Sequence, residues 1–149
     1  MTDINFYVSP EEGLEHRLNI AHRLVKLALK HDLTIFINTD NEEVSKQVDK
    51  LLWTKEKHSF IPHDIISMSD EITDDNQLET ANKVSISHNY EPMENCDYLI
   101  NLTNQRPTFF SRFKKVAEIL DNSDEILSAG RKRYAFYRDR GYTLAYHQM

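Results

Sequence analysis

A basic segment rich in aromatic residues lies near the C-terminus, with the sequence GRKRYAFYRDRGY from Gly130 to Tyr142. It contains five arginine or lysine residues and one acid, whereas the whole chain has 24 acidic residues against 18 basic ones. Guanidinium groups pair with phosphates and carboxylates, and aromatic rings stack on bases or line apolar pockets. The segment therefore predicts a site for an anionic ligand that also presents a base or an apolar group.

Helical spacing divides this segment into two faces. The first face holds Arg131, Tyr134 and Arg138, and the second holds Arg133, Tyr137 and Arg140. Either face fits a single-stranded nucleic acid, through stacking and phosphate pairing, or an acidic peptide, through carboxylate pairing and an aromatic-lined pocket. A plainer interpretation stays open, in which both tyrosines belong to the core and the charges are solvated or offset the helix dipole.

A second candidate surface is the segment LLWTKEKHSFIPHDI, from Leu51 to Ile65. The single tryptophan, Trp53, ends a predicted helix, and Phe60 and Pro62 begin the next element. Tryptophan is enriched at protein interfaces, but it is also an ordinary core residue. The segment is therefore interpreted either as an interface anchor or as core.

Motifs for nucleotides, metals or catalysis are not found. The glycines Gly13, Gly130 and Gly141 form neither G-x-G-x-x-G nor a phosphate loop, and the NTDNEE loop would place carboxylates against a phosphate. The seven histidines show no H-E-x-x-H spacing, and Cys96 has no neighbouring base. The acidic pairs at 70–71 and 74–75 are more typical of a solvated surface. No cofactor, metal or catalytic residue is expected.

Composition favours one globular domain over residues 1–149, with a net charge of −6 and a hydrophobic fraction of 40%. A single cysteine indicates a reducing compartment, and we find neither a signal peptide nor a membrane span, so a cytoplasmic protein is expected. The negative charge disfavours wrapping a duplex, which needs an extensive basic face.

Alternating strand and helix patterns predict an α/β fold with a mostly parallel sheet flanked by helices. Strands are predicted at 4–8, 33–38, 60–66, 84–87 and 98–102. Helices are predicted from Pro10, capped by Ser9, to about His31, over 42–54, briefly over 108–113, and from Ser123 to about Arg140 with Gly141 at its end. The stretch 116–120 fits either a strand or a helix, and the acidic stretch 68–78 a surface loop.

Two separated motifs then give a family resemblance over nearly the whole chain. Leu-Trp at 52–53 followed by HSFIPH at 58–63, and RxRYxxYRxxGxxL from Arg131 to Leu144, resemble the chi subunit of bacterial DNA polymerase III. The Phe6-Tyr7 pair and the YLINL strand also fit this family, whereas about 67–94 matches poorly. The resemblance implies a mononucleotide-binding-like topology without a phosphate loop.

The resemblance also implies a function. Chi-family proteins are non-catalytic accessory subunits of a DNA-directed DNA polymerase (nucleotidyltransferase) holoenzyme. They bind the psi subunit, which tethers them to the clamp loader, and the acidic C-terminal tail of single-stranded-DNA-binding protein, which ends in Pro-Phe. Single-stranded DNA is then an indirect partner in DNA replication. The alternative is a module that uses the C-terminal helix to bind single-stranded nucleic acid directly.

The resemblance assigns residues to both partners. The tail-binding set is Arg131, Tyr134, Leu120, Lys132 and Arg138, and the psi-binding set is Trp53, Phe60, Pro62 and His63. Leu127 and Ala135 stand where the family has lysines, which predicts weaker or differently centred tail binding.

Overall fold

The computed structural model describes residues 2–54, 63–65, 83–93 and 96–149, with the backbone alone at 53–54 and 63–65. The strands are β1 (Asp3–Val8), β2 (Ile35–Asn38), β3 (His63–Ile65), β4 (Val84–Ser87), β5 (Tyr98–Asn101), β6 (Lys115–Leu120) and β7 (Thr143–Gln148). The helices within these ranges are α1 (Leu14–Lys30), α2 (Glu42–Thr54) and α3 (Asp124–Asp139), with a short 3-10 helix at Phe110–Arg112.

The strands of the described ranges form one sheet in the order β3-β4-β2-β5-β6-β1-β7, and every neighbouring pair is parallel. The predicted α/β class is confirmed. Strand β1 lies between β6 and β7, with Ile4 in register with Val116 on one side and Leu144 on the other. The first strand of the chain is thus enclosed by its last two.

Helices cover both faces of the sheet and create two apolar clusters. One cluster joins α1 and α2 to a face that includes Ile37, Ile86 and Ile119. The other joins α3 and the 3-10 segment to the opposite face, through residues such as Phe6 and Tyr137. Among the described helices, α3 and the short 3-10 helix are the ones that pack on this second face. The basic, aromatic segment belongs to this layer, because α3 includes its residues 130–139.

The predicted start of α1 at Pro10 is wrong, because the helix begins at Leu14. Ser9 does not cap a helix there; its hydroxyl accepts a hydrogen bond from the N–H of Glu11 in a local turn. Gly13 follows with a φ of +126°, a conformation that side chains disfavour, and its N–H donates to Asp121 Oδ2 at 3.0 Å. The turn after β1 is therefore bonded to Asp121 at the end of β6, and it is not part of the helix.

Asp121 holds the N-terminus of α1. Its carboxylate accepts hydrogen bonds from Gly13 and from both the N–H and the hydroxyl of Ser123, and it lies 3.3 Å from Arg17 Nε. Burial opposes its ionisation, but the bonds from Ser123 and Gly13 and the charge of Arg17 outweigh burial, so the pKa of Asp121 lies below its usual range. A carboxylate of the chain itself occupies the helix end where mononucleotide-binding folds hold a phosphate.

The remaining elements follow the predictions more closely. Helix α2 begins as predicted, with Asn41 Oδ1 accepting from the N–H of Val44, and α3 ends before Gly141 at a φ of +81°. The ambiguous stretch 116–120 is a strand, and only three residues of the predicted 108–113 helix are helical. Strand β7 was not predicted. The acidic stretch 68–78 lies outside the described residues.

Asp121→Asn should lower the free energy of unfolding by about 2–4 kcal/mol at pH 7. The amide would turn an N–H₂ group toward either the Gly13 N–H or Ser123, and the charge facing Arg17 would be lost. Because the folded-state pKa is lowered, the stabilisation is present above the unfolded value of about 3.9 and is lost as the pH falls through the folded value.

Urea denaturation of both proteins between pH 7 and pH 2.5 tests this expectation. The stability difference should shrink as the pH falls below about 4. A difference that stays constant over this range would contradict the assigned role of Asp121.

Candidate binding site on helix α3

The inner face of α3 is fixed by a buried glutamate in the middle of β6. Glu118 is fully buried, and it accepts hydrogen bonds from Arg133 Nε at 3.1 Å, the Tyr137 hydroxyl at 2.7 Å and Asn101 Nδ2 at 2.6 Å. Arg133 and Tyr137 are themselves 4% and 0% exposed. Of the second face predicted from spacing, Arg133 and Tyr137 therefore belong to the core, whereas Arg140 is exposed.

The pKa values of Glu118 and Tyr137 in this cluster are shifted by burial and by their mutual contacts. Burial raises the pKa of Glu118, while the charge of Arg133 and the donors from Tyr137 and Asn101 oppose the rise. Burial and the neighbouring Glu118 both raise the pKa of Tyr137, so its hydroxyl remains a donor. The terminal nitrogens of Arg133 have no hydrogen-bond partner among the described residues. Losing one partner would therefore leave buried polar groups unpaired.

The outer face of α3 lines a pocket of about 400 Å³ between the helix and the sheet. Its lining residues are Phe6 from β1, Leu120 from β6, Tyr146 from β7, and Leu127, Gly130, Arg131, Tyr134, Ala135 and Arg138 from α3. The rings of Phe6 and Tyr134 lie 5.3 Å apart between centroids. The pocket is thus largely apolar and carries two guanidinium groups.

The cations of this pocket are exposed and available to a ligand. Within the described residues, no carboxylate pairs with Arg131, and Arg138 contacts only its exposed neighbour Asp139, at 3.3 Å. An exposed pair of this kind contributes little and is easily exchanged. An apolar cavity beside two exposed guanidinium groups suits a ligand with an apolar side chain next to carboxylates.

Gly130 lets α3 approach the floor of the pocket. A Cβ atom at this position would lie 2.5 Å from Leu120 Cδ1, closer than real side chains approach. The absence of a side chain therefore permits the contact between α3 and β6, with Leu120 presented to the pocket. A conformational reason for this glycine is not needed, since it sits inside a regular helix.

The predicted tail-binding residues divide into two groups. Arg131, Tyr134, Leu120 and Arg138 line the pocket together, whereas Lys132 is exposed on α3 and is not part of the lining. Sequence reasoning missed Gly130 and Tyr146. Leu127 and Ala135, noted as replacing family lysines, both line the pocket. The wall of the pocket is therefore apolar at these two positions.

The second predicted surface is described only in part. Trp53 lies in the last turn of α2 and His63 begins β3, both described by their backbone alone. Phe60 and Pro62 lie outside the described residues. Strands β3 and β7 stand at opposite ends of the sheet, so the backbone of His63 in β3 and the pocket lined by Tyr146 of β7 lie at different ends.

Two further features of the described part of the chain concern metals and ligands. No group of three or more His, Cys, Asp or Glu side chains there could hold a metal ion. A polar pocket of about 300 Å³ lies at the carboxyl ends of β2 and β5, where parallel sheets often bind ligands. Asp40 and Arg106 both line this pocket, so their formal charges cancel and its charge gives no preference for a phosphate.

Comparison with known proteins agrees with this arrangement. Residues 1–145 match the model of the family described as DNA polymerase III chi subunit, HolC. The chain belongs to this family. It is 31% identical over 149 residues to the DNA polymerase III subunit chi of Pseudomonas aeruginosa, covering 100% of this chain and 98% of the relative. The Haemophilus influenzae subunit chi is 21% identical over 140 residues, covering 94% and 92%.

Membership in the chi family makes the protein an accessory subunit in DNA replication. The matched residues include the whole of α3. Among the helices that the structure describes, none combines the length and the apolar character needed to cross a membrane.

Gly130→Ala should lower the free energy of unfolding by about 1 kcal/mol, because overpacking costs about 1–3 kcal/mol and the better helix propensity of alanine recovers about 1. The double variant with Leu120→Val removes both methyl carbons, Cδ1 and Cδ2, that the new Cβ would meet within 3 Å. In that background Gly130→Ala should be neutral or stabilising. Chemical denaturation of all four proteins tests this coupling, and an equal cost in both backgrounds would contradict it.

Proposed function

We propose that this chi-family protein is a non-catalytic adaptor that joins the clamp loader, through psi, to the acidic C-terminal tail of single-stranded-DNA-binding protein. The α3 pocket is the tail site, and the segment containing Trp53 is the psi site. The observation that carries the proposal is the pairing of an apolar pocket with exposed Arg131 and Arg138. A tail that ends in Pro-Phe and carries carboxylates offers the matching groups.

The pocket's dimensions and chemistry support a peptide rather than a nucleic acid. A volume of about 400 Å³ accommodates a phenylalanine side chain and part of its neighbour, with Phe6, Leu120 and Tyr134 providing apolar contact. A nucleic-acid groove instead requires an extended basic track with rings exposed for stacking. Tyr137 is buried, and Phe136 lies beneath Arg106 and Arg140, whose guanidinium carbons are 3.7 and 4.8 Å from its ring centroid.

Tail binding in the micromolar range is expected. Each good charge-assisted contact contributes about 1.5–3 kcal/mol, so one or two such contacts and a buried phenylalanine give about −7 to −8 kcal/mol. Arg131 supplies the principal contact, since no described carboxylate competes for it, and Arg138 supplies the second.

Two surfaces on one small domain also suit an adaptor. Strands lie about 4.8 Å apart, so β3 and β7 at the ends of the sheet are separated by roughly 30 Å. Psi bound near α2 and β3 would therefore leave the α3 pocket open. Simultaneous binding of both partners is what a link between two assemblies requires.

Arg131→Ala should weaken binding of a fluorescent acidic peptide ending in Pro-Phe at least tenfold, measured by anisotropy. Lys132→Ala is the matched control, because it removes the same charge from the same helix outside the pocket and should change the affinity less than about twofold. An unchanged affinity in Arg131→Ala would refute the tail site. Binding of a single-stranded oligonucleotide with a steep salt dependence, and no peptide binding, would support the alternative nucleic-acid module.

Trp53→Ala should abolish capture of purified psi while leaving peptide affinity unchanged. Arg131→Ala should show the reverse pattern, retaining psi and losing the peptide. Thermal unfolding of Trp53→Ala separates an interface from a core residue, since truncating a buried tryptophan costs about 3–5 kcal/mol. Full psi binding by Trp53→Ala would rule out this surface.

A further inference from the structure

Strand β7 ends the sheet, and among the described residues no strand pairs with its outer side. Natural edge strands are usually protected by charges, proline or a bulge. The sequence of β7, TLAYHQ, has no proline, lysine or acid, and its six residues pair with β1 without interruption. Tyr146 is 49% exposed on this strand. Within the described ranges, the edge is therefore regular and unprotected.

The hydrogen bonds of the β1–β7 pair show which backbone groups face outward. The N–H of Met149 donates to the C=O of Val8 at 3.0 Å, so the backbone of Met149 faces β1. Both backbone groups of a strand residue point to one side, and the side alternates along the strand. Ala145 and His147 therefore also face β1, whereas Leu144, Tyr146 and Gln148 present their N–H and C=O groups to the free edge.

This edge is continuous with the α3 pocket. The side chain of Tyr146 lines the pocket, while its backbone groups face the free edge. An extended peptide whose last side chain fills the pocket passes directly beside β7. Arg131 and Arg138 at the same pocket attract an acidic chain, and the absence of acids from β7 removes any repulsion.

We propose that the acidic tail binds as an added strand along β7, with its terminal apolar side chain in the α3 pocket. This inference rests on the proposed function, because the occupant is the same peptide. Hydrogen bonds to the backbone of β7 then give affinity independent of the tail's side chains, and the pocket selects its terminal residue. A strand held this way compensates for the missing lysines at Leu127 and Ala135 with main-chain contacts.

Amide hydrogen exchange followed by NMR tests the added strand residue by residue. With saturating peptide, the amides of Tyr146 and Gln148 should exchange at least tenfold more slowly. Those of Ala145 and His147, which face β1, should change little. If the peptide binds in an Arg131-dependent way without this alternating protection, the added strand is wrong and the proposed function stands. If no Arg131-dependent binding occurs, the proposed function itself fails.

A proline variant gives an independent test. Gln148→Pro removes one outward N–H, keeps every β1–β7 bond, and suits the extended residue before it. Its affinity for the peptide should fall about three- to tenfold, the share of one hydrogen bond. Gln148→Ala is the reference for this fall, because it loses the same side chain, including the bond from Gln148 Nε2 to the Tyr146 hydroxyl at 3.2 Å, but keeps the backbone N–H. The melting temperatures of both variants should match. Equal affinities of the two variants would overturn the proposal. Protection of the edge amides at high protein concentration without peptide would also overturn it, because this result would indicate that β7 pairs with a second copy of the chain.

Discussion

The arrangement of the α3 face depends on one buried carboxylate. Glu118 sits in the middle of β6 and accepts from a guanidinium, a phenol and an amide, so helix α3 can lie on the sheet in one rotational setting only. That setting turns Arg133 and Tyr137 inward and places Arg131, Tyr134 and Arg138 on the flank of the helix that lines the pocket. Replacing the ion pair with apolar residues need not reduce stability. The contribution of the Glu118–Arg133 pair is to define which arginines of α3 reach the surface.

Strand β6 connects this setting with the absence of a nucleotide site. Within a few residues it provides Glu118 for α3, Leu120 for the pocket and, directly after its end, Asp121 for the N-terminus of α1. The carboxylate of Asp121 satisfies the positive helix end that would otherwise attract a phosphate. A sheet of nucleotide-binding type thus has its layers without a free helix end for a phosphate, and the proposed tail site lies beside α3 instead.

The sequence allowed much of this architecture to be predicted, and the failures have physical reasons. Helical spacing separated the two faces of α3, but it could not say which face was buried, because Glu118 in the preceding strand β6 decides this. The lone acid in the apolar stretch KVAEIL was the available signal. The start of α1 was misplaced because Ser9 and Pro10 fit a local cap, whereas the bond from Gly13 to Asp121 spans 108 residues. Strand β7 was missed because TLAYHQ, an edge strand, lacks the hydrophobic alternation that marks a half-buried one.

The position of β1 has a consequence for how the protein is made. This strand is synthesised first, but its neighbours β6 and β7 come last, and the hydroxyl of Thr2 donates to a carbonyl 111 residues further along the chain. Such distant pairing slows folding, because the entropy of closing a long loop is lost before the stabilising contacts form. Until β7 has been synthesised and is free to pair, Phe6 has no neighbour on that side of β1. The pocket that Phe6 and Tyr146 line together therefore forms late in folding, after β1 and β7 have paired.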